Sequence, residues 1–157
     1  MNPKNMSLRN NINEAFAEVA KHEQKPPQVI DRSGVLVTSV LTGSGSKSIN
    51  IILSLGAGEK SFSLAAQLAI FSTSADVSSF VGLLAANLSP DSANGGCFAF
   101  DETNNNLNLV QHLRLESISA EQFLSIFSSF GAAAISWVTR FEQKSFPDPR
   151  FNGVLGI

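Results

Sequence analysis

The sequence predicts an α+β fold, in which a twisted antiparallel sheet of about five strands carries three helices in the order α-β-β-β-α-β-β-α. Apolar residues recur at helical spacing near both ends and in the middle of the chain, whereas the segments between them alternate with a period of two. Short connections join neighbouring strand segments, and they favour antiparallel hairpins because a parallel pair needs a long crossover. A chain of 157 residues with 43% hydrophobic content can bury one core. We therefore expect one domain over residues 1–142, followed by an extended or mobile tail over residues 143–157.

The first helix is predicted from Ser7 to about His22. Ser7 is a suitable N-cap, and Pro26 and Pro27 prevent the helix from continuing. One side of this helix is apolar, and its residues recur at 3-4 spacing: Leu8, Ile12, Ala15, Phe16 and Val19.

Three apolar segments follow. Val35–Leu41 and Ser48–Leu55 are predicted strands, because they are rich in β-branched residues and alternate in polarity. The third segment, Phe62–Phe71, completes the sheet, although its alanines leave a helix possible there. Thr42–Ser46 and Gly56–Lys60 have turn composition, so we expect two antiparallel hairpins.

The second helix is predicted over Asp76–Leu88, with Ser74 or Asp76 as its cap. Its apolar residues do not keep to a single stripe. A helix that is apolar on nearly all sides must be covered on more than one of them. One side of this helix is therefore a candidate oligomer interface.

Two more strands, Cys97–Asp101 and Asn106–Leu115, precede the last helix. That helix is predicted over Ser119–Phe141, where Ser119 and Gln122 have the spacing of a capping box. Its apolar residues recur at 3-4 spacing and are expected to pack on the sheet. The segment beyond it contains prolines and glycines without periodicity, which is why we treat it as a tail.

The chain offers little that suits catalysis or cofactor binding. A net charge of −2 argues against a nucleic-acid surface, which normally is basic. The single cysteine, Cys97, excludes an internal disulfide and a multi-thiolate metal site, and the two histidines, His22 and His112, lack metal-ligand spacing. No nucleophile elbow occurs, so we expect a protein without enzymatic activity, cofactor or metal. The longest apolar runs, such as Ile51–Leu53 and Gly131–Ile135, are far shorter than the roughly 20 residues that span a membrane, and a cytoplasmic protein without membrane insertion is expected.

Short motifs follow one another from the second helix to the last one. Val81–Leu88 ends in the pattern L-x-x-N-L, and Gly96–Asp101 fits G-x-F-x-x-D. Leu107–Leu115 begins with L-x-L, Ser119–Phe123 fits S-x-E-x-F, and Trp137 supplies an aromatic residue near the end of the last helix. In these motifs the sequence resembles the type III secretion chaperones of the CesT/Tir-chaperone family.

This resemblance implies a small, acidic, cytoplasmic homodimer from a Gram-negative bacterium. Such chaperones bind the N-terminal region of one or more effectors, keep it partly unfolded and pass it to the export apparatus, including its ATPase. The resemblance places the dimer interface on the second helix, at Val77, Phe80, Val81, Leu84 and Leu88. Cys97 and Ala99, on the adjoining strand, are expected to lie nearby. It places effector binding on the first helix and the sheet, at Ile12, Phe16, Val19, Val35, Val37, Phe98 and Phe100.

A different function is also compatible with the sequence. Twelve phenylalanines could line a cavity for an apolar ligand in a small regulatory α+β domain. An enzyme is a third alternative, and it has no motif in its favour.

Overall fold

The computed structural model describes residues 7–41, 48–70, 77–88, 95–115 and 117–143. The elements follow one another in the predicted order. They are α1 (Leu8–Glu23), β1 (Val35–Leu41), β2 (Ser48–Leu55), β3 (Ser61–Ile70), α2 (Val77–Asn87), β4 (Cys97–Asp101), β5 (Asn106–Arg114) and α3 (Ala120–Glu142). The predicted α+β fold class is therefore confirmed. The predicted Thr42–Ser46 turn, the cap of the second helix and the tail beyond Gln143 lie outside the described residues.

The five strands form one antiparallel sheet in the order β1-β2-β3-β5-β4. β1 and β4 are its edge strands, and each has a strand neighbour on one side only among the described residues. The Gly56–Lys60 segment turns between β2 and β3, as predicted. Gly58 there has a φ of 69°, a conformation that glycine adopts without the steric penalty of a side chain.

The third apolar segment is a strand and not a helix. β3 pairs with β2 on one side and with β5 on the other, which makes it the central strand. Phe62, Leu64 and Ala66 are all completely buried, so they alternate onto one face of the sheet. The alanines left a helix possible, but pairing with strands on both sides holds this segment in an extended conformation.

Both long helices start at side-chain caps. Ser7 Oγ accepts a hydrogen bond from the Asn10 backbone N–H at 3.4 Å and begins α1. Ser119 Oγ accepts from the Gln122 N–H at 3.1 Å, and Gln122 Oε1 accepts from the Ser119 N–H at 3.0 Å, which forms the predicted capping box of α3. α1 ends at Gln24, whose φ of 54° is left-handed.

The core lies between one face of the sheet and the helices α1 and α3. Each large side chain buried there contributes roughly 1.5–3 kcal/mol of hydrophobic stabilisation. The largest fully buried side chains are Trp137, Phe62, Phe123, Phe130, Ile12, Ile30, Ile51, Leu53, Leu64 and Leu109. The opposite face of the sheet, which we call the open face, has no helix packed on it in the part of the chain that is described.

Candidate protein-binding groove

A groove of about 840 Å³ lies between α1, α3 and β1. Four consecutive β1 residues, 38–41, line it. Because successive residues of a strand point to opposite faces, the groove must meet β1 along its edge as well as on its core face. The remaining lining residues come from α1, from the segment that follows it and from α3, and they are Phe16, Val19, Ala20, Glu23, Lys25, Pro26, Gln28, Leu124, Phe127, Ser128, Gly131, Ala132 and Ile135.

Two phenylalanines that line the groove, Phe16 and Phe127, rest on a buried phenylalanine cluster. The Phe16 ring contacts the rings of Phe123 and Phe127 edge to face, with both centroid distances at 5.6 Å. Phe123 in turn contacts Phe62 on the central strand, also at 5.6 Å. Edge-to-face pairs of this kind are favourable. These contacts connect the apolar lining of the groove to the sheet.

One wall of the groove is an edge strand. Thr38 is buried, Val40 packs against the core, and the Leu41 side chain is 65% exposed. No strand pairs with the outer side of β1 among the described residues. An edge strand presents backbone N–H and C=O groups to which an extended chain can hydrogen-bond. The groove thus combines apolar lining with a backbone template.

Polar contacts in the first turn of α1 connect this helix to the segments around it. Arg9 Nε donates to Glu59 Oε1 in the β2–β3 turn at 2.8 Å, and Arg9 also donates to the Asp31 carbonyl oxygen. The hydrogen bond from Arg9 holds the pKa of the Glu59 carboxyl below its usual range. Asn11 Nδ2 donates to the Ile118 carbonyl oxygen at 2.7 Å, which ties α1 to the segment before α3. These contacts connect α1 to the β2–β3 turn and to the segments before β1 and α3, on both sides of the groove.

The groove carries little charge. The two charged lining residues, Glu23 and Lys25, pair with each other at 3.0 Å on the exposed rim. The walls are otherwise apolar or neutral. A surface of this kind favours apolar side chains of a partner over a highly charged segment.

The structure does not bring the seven predicted effector-binding residues together. Phe16 and Val19 line the groove. Val35 and Val37 are 45% and 58% exposed, and their pairing with Ser54 and Ile52 places them on the open face. Of the others, Ile12 is completely buried in the core.

The two β4 residues lie at the far edge of the sheet. Phe98 is buried against Trp137, with ring centroids 4.6 Å apart, because its strand parity turns it toward the core. Phe100 is 42% exposed. Neither lines the groove, which is at the opposite edge of the sheet.

None of the groove residues on α3 is among the predicted effector-binding residues. Leu124, Phe127, Gly131 and Ile135 form a stripe of 3-4 spacing directly beside the core stripe of Phe123, Phe130, Ala134 and Trp137. The signal was present in the sequence, since the apolar side of α3 is wide enough for two stripes. What the sequence could not supply is which stripe meets the sheet.

A second apolar surface lies on α2. Leu83 and Ala86 are buried toward the body of the protein, whereas Leu84 and Leu88 are 66% and 86% exposed. The backbones of Val77, Phe80 and Val81 belong to α2, but their side chains lie outside the described part of the molecule. Helical spacing places positions 77, 81, 84 and 88 along one side of the helix.

The titratable groups do not assemble into a reactive centre among the described residues. No three His, Cys, Asp or Glu side chains in those ranges are placed to share a metal ion. His112 Nδ1 lies 2.7 Å from Ser63 Oγ on the exposed face of the sheet, and Cys97 is exposed on β4. The Ser63–His112 pair has no described third group that would orient the imidazole for nucleophilic catalysis.

α3 is long and apolar enough to cross a membrane by length and composition, with a mean hydropathy of 1.2 in its most apolar window. Part of its apolar surface belongs to the core, since Phe123, Phe130, Ala134 and Trp137 are buried. Only 28% of the most apolar window is buried, and several of the other apolar residues of α3 line the groove.

The fold is similar to chains of three solved chaperone–effector or related complexes. A chain of the ExsC–ExsE complex matches with a TM-score of 0.64 and 21% identity, covering 90% of this chain and 98% of that one. A chain of the HopA1–SchA chaperone–effector complex matches with a TM-score of 0.57 and 16% identity, covering 85% and 91%. A chain of the ExoU–SpcU complex from the type III secretion system of Pseudomonas aeruginosa matches with a TM-score of 0.56 and 12% identity, covering 82% and 95%. At these identities the matches establish the fold.

The family is established from the sequence itself. No curated protein matches the chain. The model of the Tir chaperone protein (CesT) family, however, matches residues 49–138, which is more than half of the sequence. The matched region runs from β2 to the last turns of α3 and includes the motifs on α2, β4 and β5. The chain belongs to the Tir chaperone protein (CesT) family.

Proposed function

We propose that this type III secretion chaperone holds the N-terminal region of effector proteins in the groove between α1, α3 and β1. The bound segment stays partly extended and secretion-competent until it is delivered to the export apparatus. The single observation that carries this proposal is the position of an apolar groove beside the outer edge of β1, with which no strand pairs in the described ranges. An extended, unfolded chain requires both features, since its backbone and its apolar side chains must be satisfied together.

Addition of the effector segment to β1 as a further strand would determine which of its side chains contact the chaperone. An added strand places alternate side chains on opposite faces of the sheet. One set enters the groove beside Phe16, Val19 and Ile135. The other set lies on the open face beside Val37 and Ile52, which are 58% and 45% exposed.

A comparison of the free-energy costs and gains of binding indicates that the effector segment needs several apolar anchors. Fixing the backbone of one residue costs about 1–2 kcal/mol, and a backbone hydrogen bond returns only about 0.5–1.5 kcal/mol. The strand alone therefore does not bind. A large apolar side chain that becomes buried adds roughly 1.5–3 kcal/mol, so an anchor at every second residue makes association favourable.

We also propose that the protein is a homodimer joined through α2. Leu84 and Leu88 are the most exposed large apolar side chains described; Leu84 lies on α2, and Leu88 directly follows its last residue, four positions further along the chain. Two α2 helices packed side by side would cover both residues. Val77, Phe80 and Val81 complete the proposed seam.

Other parts of the proposed function follow from membership of the family. Its members act as chaperones and are not enzymes, and they are soluble. Accordingly, we propose that this chain has no catalytic activity of its own and acts in the cytoplasm of a Gram-negative bacterium. Handover to the secretion ATPase then releases the effector without nucleotide hydrolysis by the chaperone.

Co-purification tests this function directly. The tagged chaperone is isolated from its host, the captured polypeptides are identified, and truncations of each show which segment is retained. We expect capture of one or more secreted proteins through their N-terminal regions. Retention of a lipid-like molecule without any polypeptide would contradict the proposal and favour a ligand-binding domain.

A further inference from the structure

The outer edge of β4 is occupied by a side chain. Asn87, the last residue of α2, contacts the backbone of Phe98 through both atoms of its amide. Asn87 Oδ1 accepts a hydrogen bond from the Phe98 N–H at 2.6 Å, and Asn87 Nδ2 donates to the Phe98 carbonyl oxygen at 3.3 Å. These are the two bonds that a residue of a neighbouring strand would make.

The geometry identifies which side of β4 is involved. In an antiparallel strand the N–H and C=O of one residue point to the same side, and the next residue points to the other side. β5 pairs with β4 along one side, and Phe98 is the register partner of Leu109. Because Asn87 is not part of β5, the Phe98 groups that it binds point away from β5. Asn87 therefore reproduces a strand's peptide group at the outer edge of β4.

The two edges of the sheet thus differ. β4 has only five residues, and both backbone groups of its second residue are taken by Asn87. β1 has seven residues and lies beside the groove, without a strand on its outer side among the described residues. Natural sheets commonly protect an edge that must not pair, because an unprotected edge recruits other chains.

We propose that Asn87 closes the β4 edge and so restricts the addition of an effector strand to β1. In this proposal Asn87 occupies the backbone groups of β4 and does not contact the bound segment. The proposal rests on the proposed binding of effector segments in the groove. One bound segment per protomer then enters the sheet from a single side. The Phe98 side chain of β4 stays in the core and does not contact the effector segment.

Hydrogen exchange measures the first part of the proposal. In the full-length protein the Phe98 amide should exchange slowly, and Asn87→Ala should accelerate that exchange by about tenfold or more, as expected for the loss of a hydrogen bond. Asn87→Asp keeps the acceptor for the Phe98 N–H and should preserve most of the protection. Equal protection of Phe98 in the wild type and Asn87→Ala would overturn the proposal.

A labelled peptide distinguishes edge closure from a purely structural role. The probe is a ten-residue peptide of alternating valine and threonine with a nitroxide at one end, and the readout is paramagnetic broadening of backbone amide signals. In the wild type we expect broadening along β1 but not along β4. In Asn87→Ala we expect broadening along both strands.

The control is Leu83→Ala, which removes a buried α2 side chain and leaves the Asn87 amide in place. It should loosen α2 without adding broadening along β4. Broadening along β4 in the wild type or in Leu83→Ala, or its absence in Asn87→Ala, would overturn edge closure by Asn87. Absence of broadening along β1 in every variant would instead count against strand addition in the groove, and the Phe98 exchange rates would still decide the role of Asn87.

Discussion

At the scale of single residues, Arg9 links the parts of the molecule that place the groove. It joins the start of α1 to the β2–β3 turn through Glu59 and to the segment before β1 through the Asp31 carbonyl oxygen. The Arg9 and Glu59 side chains are 25% and 29% exposed, so their pairing is partly shielded from solvent. Partly exposed ion pairs contribute only about 0.2–1 kcal/mol each to the free energy of unfolding.

This pair predicts a specific pH dependence of stability. The folded pKa of Glu59 lies below its unfolded value of roughly 4.3, so its stabilising contribution is present above that pH and is lost as the pH falls through the folded pKa. Glu59→Gln should therefore lower the free energy of unfolding at pH 7 by about 0.2–1 kcal/mol and change it much less near pH 3. Urea denaturation at both pH values measures this difference.

The matched control is the same substitution in an Arg9→Met background. There the pH-dependent difference between glutamate and glutamine should shrink, because the hydrogen bond that lowers the pKa is gone. A difference of the same size in both backgrounds would show that Arg9 is not its cause.

Residue-scale features were only partly predictable from the sequence. The alternation expected of β2 is observed, since Ile49, Ile51 and Leu53 are buried and period two is a direct consequence of strand geometry. The burial of Ile12, by contrast, depends on how α1 lies on the sheet. The roles of Arg9 and Asn87 depend on contacts between segments distant in the chain, which one sequence does not encode in a readable pattern.

At the scale of elements, α3 is the part that both builds the core and lines the groove. Its core stripe packs on the sheet, and the adjacent stripe that contains Leu124 and Ile135 faces the groove. A helix with two functions of this kind must be held at a fixed rotation. The capping box at Ser119 and the ring contacts of Phe123 and Trp137 provide that constraint.

Removal of the cap should therefore lower stability. Ser119→Ala deprives the Gln122 N–H of its acceptor, and we expect the free energy of unfolding to fall by about 0.5–2 kcal/mol. Thermal and urea unfolding followed by circular dichroism measure the change. Ser129→Ala, at an exposed position within α3, is the control and should be neutral or slightly stabilising. Equal losses in the two variants would contradict a specific role for the capping box.

The elements themselves were the most predictable level of the structure. The bounds of β1 and β2 are those expected, and both long helices begin at the predicted caps. Short-range physics decides these features, because periodicity, capping and turn composition all act within a few residues. The third apolar segment was open between strand and helix because pairing with β2 and β5, and not local composition, settles its state.

At the scale of the whole molecule, the two apolar surfaces are separate. The groove lies at the β1 edge of the sheet, whereas α2 packs beside β4 at the other edge. A dimer joined through α2 would leave both grooves accessible. An effector segment could then contact each protomer without competing with the dimer interface.

Substitution on α2 tests this separation. Leu84→Asp places a charge in the proposed seam at a side chain that is 66% exposed, so the protomer should still fold. We expect the molar mass from light scattering to fall from that of a dimer to that of a monomer. Ile52→Asp introduces the same charge on the open face and should leave the mass unchanged. An unchanged, well-folded dimer in Leu84→Asp would place the interface elsewhere.

The most direct test of the central claim is calorimetric titration of the captured effector N-terminal fragment into wild type, Ala132→Asp and Ile52→Asp. Ala132 on α3 lines the groove and Ile52 lies on the open face, and both are exposed, so neither substitution should disrupt the fold. A charge in the groove opposes the burial of an apolar anchor, and we predict that Ala132→Asp weakens binding by about tenfold or more, a change of roughly 1.4 kcal/mol. Ile52→Asp should weaken binding less. Wild-type affinity in Ala132→Asp would contradict binding in the groove.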